Sequence, residues 1–72
     1  MDHRYHINVF WSQDDGCWIA DVPDLRPCSA HGETPGEAVS EAEEAIALWL
    51  DIARERGHPI PDPRYRPAIY AA

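Results

Sequence analysis

Lysine is absent from the chain, and the six basic residues, all arginines, face thirteen acidic ones for a formal charge of −7. A surface that tracks phosphates needs the opposite balance, so direct nucleic-acid binding is not expected. Long apolar runs are missing too. Nothing approaches the roughly 18 apolar residues of a membrane span, and the opening MDHRYHINVFW has no uncharged apolar stretch of the kind a signal peptide needs, so a cytoplasmic protein without a membrane segment is expected. Cysteine is down to Cys17 and Cys28, which in that compartment are expected to stay free thiols. An acidic chain is steered toward basic partners, although the same charge also serves solubility.

What is there fits an α+β domain. A chain of 72 residues buries only about 60% of the surface its unfolded form exposes, so its core is thin and a partner is expected to share in its stability. In RYHINVFW, residues 4–11, Tyr5, Ile7, Val9 and Trp11 share one face while Arg4, His6 and Asn8 share the other, which predicts a first strand. SQDDG, residues 12–16, is turn chemistry, and CWIADV, residues 17–22, completes a hairpin with Trp18, Ala20 and Val22 on one side. Pro23 and Pro27 take the chain out of the sheet before CSAHG, residues 28–32, rejoins it as a short third strand.

Thr34, Pro35 and Glu37 spell a helix start: a hydroxyl for the N-cap, a proline at the first turn and a capping-box carboxylate. Ala38, Val39, Ala42, Ile46, Trp49, Leu50 and Ala53 then recur at three- and four-residue steps, so one stripe of the helix covers the sheet until Gly57 and Pro59 stop it. The expectation is a three-stranded antiparallel sheet followed by one long helix packed on it, with RPAIY, residues 66–70, available for a short C-terminal edge strand (β-β-β-α-β). Residues 1–72 are expected to form a single domain whose proline-rich tail spans 57–72.

Reaction chemistry is hard to build from these letters. His3, His6, His31, His58, Cys17 and Cys28 show no C-x-x-C, H-x-x-x-H or H-E-x-x-H spacing, so neither a metal nor a cofactor is expected. Cys28 and His31 fall on opposite faces of an extended strand, and Ser12, Ser29 and Ser40 have no elbow to expose a hydroxyl. The first strand carries no carboxylate, Asp14 and Asp15 are turn residues, and Glu37 serves the cap, which leaves no two-metal nuclease centre. No catalytic residue is expected.

The helix offers something else. Glu37, Glu41 and Glu44 share a ridge beside the apolar stripe, with Leu48 in line, and like charges at such spacings cost a few tenths of a kcal/mol each. Either this is a solvated face that also suits the helix dipole, or it is a docking strip on which a basic partner would remove the repulsion and bury Leu48.

The order of the pieces resembles a family. A "Y-x-I-x-V" strand, a "D-G-x-W-x-A-x-V-P-D-L" hairpin and loop, "C-x-x-x-G-x-T-x-x-E-A" opening an acidic "E-A-I-A-L-W-L" helix, and "G-x-P-I-P-x-P" together look like the N-terminal domain of the HicB-type antitoxin family over residues 4–63. The resemblance implies a degraded RNase H-like fold without catalytic carboxylates. It implies binding to a small basic HicA-type toxin, an mRNA interferase, and assembly as a homo-oligomer, dimer or larger. Many relatives also carry a C-terminal DNA-binding domain, and none is expected within these residues. The loop reads L-R-P-C, residues 25–28, where the family commonly has L-P-G-C, so its backbone must differ because proline cannot take positive φ.

The expected function is therefore binding without catalysis: neutralising such a toxin by covering its active surface. Glu37, Glu41, Glu44 and Leu48 are the expected docking residues, and Val22, Pro23, Asp24 and Leu25 are expected to shape a contact loop. Tyr5, Ile7, Val9, Trp18, Ala20, Val22, Ala42, Ile46 and Trp49 are expected to be structural. The alternatives are a stand-alone oligomer with no toxin and, lacking its carboxylates, a small nuclease.

Overall fold

Alternation and turn chemistry make the first two elements. The computed structural model describes residues 4–66 and pairs strand β1, Asn8–Ser12, antiparallel with strand β2, Cys17–Asp21. Between them the Ser12 hydroxyl donates to Asp15 Oδ2 at 2.9 Å and accepts the Asp15 N–H at 3.2 Å, while Gly16 at φ 64° closes the turn by donating to the Ser12 carbonyl at 2.8 Å. Strand β3, Ser29–Gly32, lies antiparallel on the other side of β2, giving the order β1-β2-β3.

The first strand is shorter than the alternation suggested. Its pairing ends at Asn8 opposite Asp21, because Pro23 ends the partner and Val22 donates toward β3, to the Cys28 carbonyl at 3.0 Å. Tyr5 and Ile7 still pack on the core from irregular backbone, whereas Trp11 is 50% exposed at the strand's far end, edge-on to Trp18 at 5.7 Å. The strand proposed at residues 66–70 lies outside the described residues, apart from Arg66 in irregular backbone.

Helix α1, Pro35–Glu55, begins as its letters demand. The Thr34 hydroxyl accepts the Glu37 N–H at 3.1 Å, and the Glu37 carboxylate reaches back past the cap to the Glu33 N–H at 3.2 Å. At the other end Gly57, φ 66°, sets a Schellman closure: His58 N–H donates to the Ala53 carbonyl at 2.8 Å and Gly57 N–H to Arg54 at 3.2 Å.

The register puts Val9, Ala20 and Ala30 in one row on the face that α1 covers. From the helix, Ala38, Ala42, Ile46, Leu50 and Ala53 are buried against that face. Small side chains let the helix lie close. At Gly32 a Cβ would stand 2.6 Å from the Ala38 backbone nitrogen, nearer than real contacts allow. Leu25, Ile46 and Val22 are the largest fully buried side chains, each worth about 1.5–3 kcal/mol of removed apolar surface.

The loop between β2 and β3 turns without any positive-φ residue. Leu25 N–H donates to the Val22 carbonyl at 3.2 Å, and the Arg26–Pro27 peptide is cis. The proline-rich segment after α1 then returns across this loop. Tyr5 donates its hydroxyl to the Pro61 carbonyl, His6 lies 4.7 Å from the Tyr65 ring, and Asp24 Oδ2 accepts the N–H groups of Arg64 and Tyr65, each at 3.0 Å.

Candidate functional site

Because α1 lies along β3, the helix ridge borders the sheet's outer edge. Glu37, Glu41, Glu44 and Leu48 line one side of an open groove of about 520 Å³, with Ser29, Ala30 and His31 on the other. The ridge residues named from the sequence thus meet on one surface. Glu37 is tied to the Glu33 N–H, while Glu41 and Glu44 have no ion-pair partner among the described residues. Leu48 is 61% exposed, the most exposed large apolar side chain on the helix.

The groove continues toward the helix C-terminus and changes character. Pro27, Cys28, Trp49 and Ile52 line its middle, and Arg26, Arg56 and His58 its far end. The surface therefore runs acidic, apolar, basic along a single helix flank. Ile52 and His31 belong to it, and neither was named as a docking residue from the sequence. Ile52 follows Leu48 by four residues, a helical step that pointed to it; His31 needed the strand–helix pairing.

The contact-loop residues fare differently. Leu25 is fully buried, so it offers no surface of its own to a partner and supports the loop from beneath as a core plug. Pro23 is half-buried and its carbonyl accepts Arg26 Nε at 3.2 Å. Asp24 spends its carboxylate on the returning segment, holding two backbone N–H groups. A carboxylate fits there because an ionised acceptor is strongest toward N–H donors left open by proline-rich backbone. The loop is an internal clasp.

A second exposed region lies on the face that the helix leaves open. Phe10, Ile19 and His31 stand opposite one another across β1, β2 and β3, and Phe10 is 48% exposed.

Reactive groups are quiet. Both cysteines are free, and Cys28 is buried; burial pushes its thiol above the ordinary 9.0, with Asp21 adding to the effect, which keeps it protonated and a poor nucleophile. Burial likewise raises the Tyr5 phenol, helped by Asp62 and Asp24. Among the described residues no three His, Cys, Asp or Glu side chains gather as a metal site requires, and no helix is long and apolar enough to cross a membrane.

A family model described as the HicB_like antitoxin of bacterial toxin–antitoxin systems matches residues 5–69. The curated UPF0150 protein Ta0767 of Thermoplasma acidophilum is similar at 28% identity over 53 residues, covering 74% of this chain and 77% of that protein. No solved structure matches the chain significantly.

Proposed function

Since this chain belongs to the HicB-like antitoxin family of bacterial toxin–antitoxin systems, we propose that it binds a small basic HicA-type mRNA interferase and silences it by covering the active surface. Glu37, Glu41 and Glu44 draw the toxin in, and Leu48 is buried in the contact. The carrying observation is the convergence of that acidic ridge and an exposed leucine on one groove beside a strand. Charge sets the encounter rate and apolar contact sets the lifetime, so the chain acts by adhesion, with no chemistry of its own.

The protein works as a homo-oligomer. Phe10 on the helix-free face, opposite Ile19, supports self-association through that face, away from the acidic ridge.

Co-expression with the product of the short reading frame adjoining its gene tests the proposal. A toxic neighbour whose growth arrest this chain relieves supports the antitoxin role. A harmless neighbour, or arrest that persists with the chain bound to nothing, overturns it in favour of a stand-alone oligomer.

A further inference from the structure

We infer that the outer edge of β3 receives one extended, arginine- or lysine-bearing segment of the toxin as an added strand, with the ridge on α1 reading its side chains. This rests on the antitoxin reading and names the mode of binding within it.

Among the described residues β3 pairs only with β2. Val22 and Cys28 share a ladder hydrogen bond, and the antiparallel alternation carries the bonded pairs on to Ala20–Ala30 and Trp18–Gly32. Ser29 and His31 therefore point their backbone N–H and C=O groups away from β2, toward the groove. Unpaired edge groups of this kind are a template for another strand. Neither lysine nor proline blocks the four residues of β3.

Charge selects the occupant. A second copy pairing antiparallel with β3 about a two-fold axis would bring its own α1 alongside in the opposite direction, setting Glu41 and Glu44, beside the middle of β3, near the same two carboxylates of the other chain. Like charges facing across an interface reject that partner. A strand with cations on the helix side removes the repulsion along the ridge, and an apolar residue one step on covers Leu48 and Ala45.

Backbone amide exchange in the full chain, free and in complex with the purified toxin, tests this. The Ser29 and His31 amides should slow at least tenfold on binding, while Ala30, already bonded to β2, changes little. His31→Pro removes an edge N–H without costing an internal hydrogen bond, and should speed toxin release at least tenfold beyond whatever His31→Ala, which loses the side chain but keeps the N–H, brings about. Circular dichroism melting confirms that the proline variant is folded; if it is not, the exchange data decide. A complex in which Ser29 and His31 exchange as fast as in the free chain overturns the added strand and leaves the antitoxin reading standing. Protection that rises with the concentration of the free chain overturns it in favour of a second copy. No complex at all overturns both.

Discussion

Gly32 lies so close under the first turn of α1 that the Ala38 backbone nitrogen occupies the space a Cβ would need, 2.6 Å away. Neither neighbour can yield, since one is strand backbone and the other helix backbone. Gly32→Ala is therefore expected to lower stability by about 1–3 kcal/mol, the range for overpacking a tight core. Urea unfolding measures it. Gly36→Ala, where a Cβ meets nothing within 4 Å, is the control and should not destabilise.

Leu25 and Leu48 separate structure from binding. Leu25→Ala empties a fully buried site and should cost about 2–5 kcal/mol, much of what so small a domain possesses. Leu48→Ala should change stability by no more than about 0.5 kcal/mol, yet weaken toxin binding. Paired denaturation and titration measurements check both, and equal stability losses would contradict the assignment.

The clasp at Asp24 makes a local prediction. Asp24→Ala removes the acceptor for two backbone N–H groups, so the Arg64 and Tyr65 amides should exchange faster while amides in the middle of α1 keep their rates. Asp24→Asn retains an acceptor oxygen and should fall between.

Tyr5 gives a pH signature. Its phenol is raised from the ordinary 10.0 chiefly by burial, so the protonated form favours the folded state. That contribution is complete below pH 10 and is lost as pH rises through the folded value. Tyr5→Phe removes it together with the bond to the Pro61 carbonyl, so the parent's advantage over the variant should shrink above pH 10. Cys28 also weakens the fold as pH rises past 9.0, but equally in both proteins, and cancels in the comparison.

Much of this was legible because it is local. Thr34, Pro35 and Glu37 state the helix start, Gly57 its stop, and Gly16 the hairpin turn, each through backbone chemistry within a few residues. What was hidden depends on contacts distant in sequence. Alternation assigns a face to Tyr5 but cannot say that pairing stops at Asn8, since that is set by Pro23 in another element. Asp24 read as a loop residue because its partners lie forty and forty-one positions away. The acidic ridge was visible from helical spacing, while the strand edge beside it required the sheet order.

The proposed function turns on the acidic ridge drawing in a basic toxin. Stopped-flow association of the purified chain with its toxin, across ionic strength, tests it most directly when Glu37, Glu41 and Glu44 are changed together to Gln, which keeps the acceptor that serves the Glu33 N–H. Association at low salt should slow by about tenfold or more, with a flattened salt dependence. An unchanged rate and an unchanged salt slope would contradict it.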